Sequence, residues 1–158
     1  MRLVIADAGP VHYLVLIGHI ELLPRLFERV VLPSAVQSEL STRAAPGTVR
    51  DWISMPPGWL EIAEAPAVSA SIGVHRGEAA AISLALSLHA ELLLMDDRRA
   101  VRAARSQGLR VTGTLGVLDL AAERGLIDFA QAIHELERTT FRRPVELLNA
   151  LRAKHEKR

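Results

Sequence analysis

Five acidic residues stand where they can act together: Asp7, Glu39, Glu78 and the adjacent pair Asp96-Asp97. Asp7 follows the apolar run Leu3-Val4-Ile5-Ala6, and Asp96-Asp97 follow Leu92-Leu93-Leu94-Met95. Short apolar runs of this kind read as buried strands, which puts both acidic groups at strand carboxyl ends. Glu39 lies beside Val36 and Leu40, on the side of a helix expected to pack inward. Glu78 opens the stripe Glu78, Ile82, Ala85, His89, whose spacing keeps one helix face. Acids on inward faces are rare unless paired or bound to a cation. Two carboxylates about 4 Å apart repel by roughly 4 kcal/mol at an effective dielectric near 20. A convergent set therefore holds protons or a divalent ion. All-oxygen ligands favour Mg2+ or Mn2+ over zinc. Such ions activate water and stabilise phosphoryl transition states, which is phosphodiester hydrolysis chemistry. Each acid also has a plainer reading. Asp7 can cap the helix after Gly9, Asp96 or Asp97 the helix at Arg98, and Glu78 its own helix, with Glu39 solvated.

The elements that must position these groups alternate in type. Strands are expected at Leu3–Ala6, Arg29–Leu32, Trp59–Ile62, Leu92–Met95 and Leu109–Val111. Helices are expected at Val11–Ile17, His19–Phe27, Ser34–Thr42, Val49–Met55, Gly77–His89, Arg98–Gln107, Leu115–Arg124, Asp128–Arg138 and Pro144–His155. Gly18 and Gly108 end helices, Pro10 sits early in one, and Ala65–Val74 reads as a loop. The basic tail Arg152–Arg158 is expected to fray. Strands alternating with helices imply an α/β fold, a three-layer α/β/α sandwich around a mainly parallel sheet. In such sheets ligands bind outside the strand carboxyl ends.

Composition narrows the field. A chain of 158 residues suits one domain, residues 1–158. With 49% hydrophobic and 23% charged residues it can bury a core, so disorder is not expected. The absence of cysteine excludes disulfides, thiolate zinc sites and cysteine nucleophiles. No leader fits ahead of Asp7 and no uncharged stretch there spans a bilayer, so a soluble, cytoplasmic protein without membrane contact is expected. A net charge of +1 means that any polyanion must meet a local patch. Six aromatic residues argue against a base-stacking surface of several rings. Only Lys154 and Lys157 are lysine; all other cations are arginine.

Four segments together resemble the PIN-domain family: Val4-Ile5-Ala6-Asp7-Ala8-Gly9-Pro10, Leu32-Pro33-Ser34-Ala35-Val36-Gln37-Ser38-Glu39-Leu40, Gly77-Glu78-Ala79-Ala80-Ala81-Ile82 and Leu92-Leu93-Leu94-Met95-Asp96-Asp97-Arg98-Arg99-Ala100. The run Gly108–Leu118 is similar to a subfamily described only as predicted nucleic-acid-binding. The likeness covers about residues 2–125, with the helices of 126–158 following it. It rests on the order and spacing of four acidic motifs. The resemblance implies a Mg2+-dependent (or Mn2+-dependent) ribonuclease, often the toxin of a toxin–antitoxin pair, that leaves a 5′-phosphate. It implies that Asp7, Glu39, Glu78 and Asp97 are catalytic and that Asp7, Glu78, Asp96 and Asp97 hold the metal. Its pattern wants one principal Asp after the strand; Asp97 fits the spacing, with Asp96 the alternative. RNA, an antitoxin protein and a second copy of the chain are the implied partners, with the apolar helices near the amino terminus as a possible dimer surface. The chain departs from the toxin pattern at Ala8-Gly9-Pro10, where a Ser, Thr or Asn is usual. Thr112 or Thr114 can supply a compensating hydroxyl.

Arg98, Arg102 and Arg105 share a helix face beside the acidic pair, with Arg99 adjacent. They read as a phosphate clamp or as a solvated face, and Arg142-Arg143 as a further contact or solvated charge. The six histidines show no metal-ligand spacing. Trp52 and Trp59 read as local packing. A receiver domain needs a lysine after its last strand, and a D-x-D phosphatase needs an acid where Gly9 stands. The remaining rival is a non-catalytic PIN-like module that binds nucleic acid or protein.

Overall fold

A computed structural model describes residues 2–66 and 74–157. In chain order the elements are β1 (Leu3–Ala6), α1 (Ala8–Leu16), α2 (Leu22–Leu26), β2 (Arg29–Pro33), α3 (Ser34–Leu40), α4 (Gly47–Ser54) and β3 (Leu60–Ala63). They continue as α5 (Arg76–Ser87), β4 (Leu92–Leu94), α6 (Arg98–Ser106), β5 (Val111–Thr112), α7 (Thr114–Glu123), α8 (Phe129–Glu137) and α9 (Val145–Glu156). The five strands form one parallel sheet in the order β3-β2-β1-β4-β5. This is the expected three-layer α/β/α architecture.

The strand order explains where a ligand can sit. From β1 the chain winds outward through β2 to β3, then returns to the other side of β1 for β4 and β5. A right-handed crossover places its helix on one face when the chain moves one way and on the other face when it moves back. So α1 to α4 pack on one face, with α7 and α8 joining them, while α5 and α6 cover the opposite face. Strand β1 shows the period of two: Val4 and Ala6 join the first core, Leu3 and Ile5 the second. The winding reverses between β1 and β4, which leaves a crevice at their carboxyl ends. Asp7 and Asp96 follow those two strands.

Leu94, the last residue of β4, is fully buried, so truncating it leaves a cavity two residues before Asp96. Leu94→Ala is expected to lower stability by about 2–5 kcal/mol in urea denaturation.

Several boundaries differ from the pattern-based expectation, each for a local reason. The segment His19–Phe27 is helical only over Leu22–Leu26, because Gly18 at φ 75° and a turn at Ile20–Glu21 use up its start. The last strand is Val111–Thr112, later than Leu109–Val111, since Leu109 N–H caps α6 through Ala104. The stripe that begins at Glu78 stays buried through Ala85, but His89 lies past the end of α5 in a left-handed turn and is exposed. The tail does not fray at Arg152. Helix α9 runs to Glu156, held by Lys154 and His155 on Asp119 and by His155 stacked on Phe129 at 4.4 Å. Trp52 and Trp59 do pack locally, with centroids 6.0 Å apart. Most of the expected loop Ala65–Val74 lies outside the described residues.

Candidate active site

The crevice opens into a cleft of about 1230 Å³. Asp7, Glu39, Glu78, Asp96 and Asp97 all line it, so the five acids predicted from sequence do share one hollow. They do not share one environment.

Asp7 is 5% exposed at the end of β1, and its N–H donates to Leu94 O at 2.9 Å, locking it to β4. It occupies the N-cap position of α1, yet its carboxylate caps no later turn, which removes the plainer reading. Its Oδ1 is buried with no hydrogen-bond partner. Burial pushes the carboxyl up to about 7; the Ala8 backbone opposes this, and Glu78, Glu39 and Asp96 reinforce it. Every nearby charge that acts on Asp7 is thus negative. A buried oxygen in that position is a place for a proton or a cation.

Asp96 is clamped. Its Oδ1 accepts from the Thr114 N–H and its Oδ2 from the Thr114 hydroxyl, both at 2.7 Å. Burial raises its proton affinity while these two bonds lower it. Glycines make the fit possible. A Cβ at Gly113 would lie 2.4 Å from Asp96 Oδ1, and one at Gly9 would lie 3.0 Å from Oδ2. The departure at Ala8-Gly9-Pro10 therefore has a steric role: Gly9 lets the first turn of α1 reach Asp96.

Asp97 behaves differently. It is exposed and its Oδ2 accepts the Ala100 N–H at 3.0 Å, capping α6. Sequence spacing favoured Asp97 as the principal acid, with Asp96 the alternative; of the two, Asp96 is the half-buried one whose charge acts on Asp7. Asp97→Ala is expected to cost about 1 kcal/mol of stability by the lost cap, and Asp97→Asn almost none, both read from urea midpoints.

Glu78 is 9% exposed, and its Oε1 accepts the His75 N–H at 2.9 Å. It is a cap and a site acid at once. Burial raises its proton affinity, and Asp97 and Glu39 push it further up. Glu39 does not pack inward as its helix position suggested. It is exposed at the cleft rim, where α3 packs against the start of α5. Gly77 accommodates it, since a Cβ there would lie 2.9 Å from Glu39 Oε1.

Arg98, Arg102, Thr112 and Gly113 line the same cleft. Thr114, one of the two expected compensating hydroxyls, is fully buried and committed to Asp96. The spacing glycines Gly9, Gly77 and Gly113 were not identified from sequence as parts of the site. Their signal was present, in that each lies within two residues of an acid or its clamp.

Asp7 and Asp96 fit a divalent cation best: one offers an orphaned oxygen, the other a fixed carboxylate. Among the described residues no three acidic or histidine side chains come close enough to form a complete metal cage. Mg2+ does not demand one, because it commonly takes one or two carboxylates and keeps its other waters. No helix among the described residues is long and apolar enough to cross a membrane. A comparison with curated proteins finds no match. A family model described as a PIN domain matches residues 3–157, nearly the whole chain. Acids at the switch point of a parallel sheet and this match agree, and the chain belongs to the PIN-domain family, a family of nuclease-type modules.

Proposed function

We propose that this protein is a metal-dependent endoribonuclease that hydrolyses RNA phosphodiester bonds, using Mg2+ or Mn2+, and serves as the toxin of a toxin–antitoxin pair. The observation that carries the reading is the unpartnered, buried Asp7 Oδ1 among other acids at the sheet's switch point. Asp7 and Asp96 would hold the ion, with Glu78, Asp97 and Glu39 lining the space around it. When bound, such an ion supplies Lewis acidity and an activated water. The chain's own groups do the rest. Glu78, anchored by His75, has a proton affinity raised by burial, which suits it to accept a proton from water. Arg98 and Arg102 hold flanking phosphates and orient the strand. Thr112 contributes a polar contact at the floor. The product carries a 5′-phosphate. An antitoxin would act by covering this cleft, and a homodimer is part of the proposal.

A second reading, a non-catalytic binding module, draws on one observation. No hydroxyl follows Asp7, and the Thr114 hydroxyl is already spent on Asp96.

Labelled single-stranded RNA incubated with the purified protein separates the two. Fragments bearing 5′-phosphates are expected with Mg2+ or Mn2+ and none with excess chelator. Calorimetry is expected to register Mn2+ binding in the absence of RNA. A protein that binds RNA but neither Mn2+ nor cuts belongs to the second reading.

A further inference from the structure

The acidic floor occupies only one part of the cleft. The opposite wall is built from the segment between α8 and α9 and from the first turns of α9: Thr140, Phe141, Arg142, Arg143, Pro144 and Leu147. This wall combines three properties. It carries a half-buried aromatic ring that borders the cleft: Phe141 packs against the core and forms a T-shaped pair with Tyr13, with centroids 5.1 Å apart at 84°, and the Tyr13 hydroxyl meets Thr140 Oγ1 at 3.1 Å. It exposes apolar surface, with Leu147 49% exposed beside Pro144. It carries cations, of which Arg143 is paired with Glu137 at 2.7 Å while Arg142 stands exposed. Across the cleft, Arg98, Arg102 and Arg105 project from α6.

We infer that the segment between α8 and α9 is the second wall of a groove for a single-stranded nucleic acid, with Phe141 as the ring on which an unpaired base stacks and Arg142 as a phosphate contact. The inference rests on the reading of the cleft as a nucleic-acid site, not on metal or cleavage. Cations on both sides match a chain of phosphates. An aromatic and apolar strip between them matches flat base faces, which a duplex keeps covered by its own stacking. One well-held ring suffices for one base, so the low aromatic content of the chain is no obstacle.

The test is fluorescence anisotropy of a labelled single-stranded RNA of about ten nucleotides, in chelator and again with Ca2+, across a salt series. Phe141→Leu keeps an apolar contact for Tyr13 but removes the stacking ring, and it is expected to weaken binding at least about fivefold at every salt concentration. Arg142→Gln is expected to make the slope of log K against log salt shallower by roughly 0.7, with melting temperature unchanged. A duplex of the same sequence is expected to bind at least about tenfold more weakly. Parental affinity in both variants, equal binding of duplex and single strand, or no binding of RNA by the parent protein would each overturn the inference. RNA binding that depends on Phe141 and Arg142 without cleavage in Mg2+ sinks the hydrolytic reading alone. Cleavage and binding that ignore both residues sink this one alone.

Discussion

Asp7→Asn is expected to abolish metal-dependent RNA cleavage, by about 1,000-fold or more, while making the protein more stable in alkaline buffer. Both halves follow from one oxygen. The parent carboxyl titrates near 7 instead of its ordinary 3.8, chiefly through burial. A carboxyl raised on folding binds more protons in the native state than in the unfolded one. Its stabilising contribution is fully present below pH 3.8 and is lost as pH rises through about 7. The displacement from 3.8 to about 7 corresponds to at most about 4 kcal/mol. Asparagine keeps the shape and cannot ionise. The variant and parent should therefore have similar urea midpoints near pH 4 and diverge progressively toward pH 8, the variant being the more stable. Saturating Mn2+ is expected to narrow the gap by stabilising the parent alone. If Asp7→Asn cuts RNA like the parent, the assigned chemistry is wrong. If the variant loses stability at pH 8, the buried charge is not where the site places it.

Gly113→Ala is the second large effect. The backbone at Gly113 has φ −110°, which alanine tolerates, so conformational freedom is not the issue. Space is: the new methyl would lie 2.4 Å from Asp96 Oδ1 and 3.3 Å from the Met95 carbonyl oxygen. Asp96 must swing away, giving up both bonds from Thr114. Leaving buried polar groups unpaired costs about 1–3 kcal/mol each, and the metal would lose its fixed carboxylate. The expected result is a fall of about 2–4 kcal/mol in unfolding free energy together with loss of Mn2+ binding in calorimetry. Thr114→Ser, which retains the hydroxyl and the N–H, should preserve Mn2+ binding at a cost of only about 1 kcal/mol for the lost buried methyl.

Much of this arrangement was legible in the residues. The two apolar runs before Asp7 and Asp96-Asp97 read as strands because buried parallel strands are apolar on both faces, and with the sheet parallel this put the acids on one edge. The alternation of element types carried the sheet's parallel character. Less legible was everything that depends on distance across the sheet. Asp96 and Asp97 are neighbours in the chain, so periodicity cannot tell which one turns inward. The answer lies in Thr114, 18 residues on, whose hydrogen bonds hold one of them. Glu39 was read on the inward-packing side of its helix, with a solvated reading beside it, and it is exposed at the cleft rim. Gly9 looked like a missing hydroxyl and is a clearance for Asp96.

On the proposed reading of the cleft, helix α9 has a consequence for how a long polymer would enter. Of its residues only Leu148 is buried; Leu151 and the His155 ring, stacked on Phe129, add partly buried packing, and the remaining ties are polar ones to Asp119, Glu123 and Glu137. Its amide protons should therefore exchange with deuterium well before those of the central strands. On the proposed ribonuclease reading, a flank that opens ahead of the rest of the molecule would let a looped strand slip in sideways, without feeding a free end through.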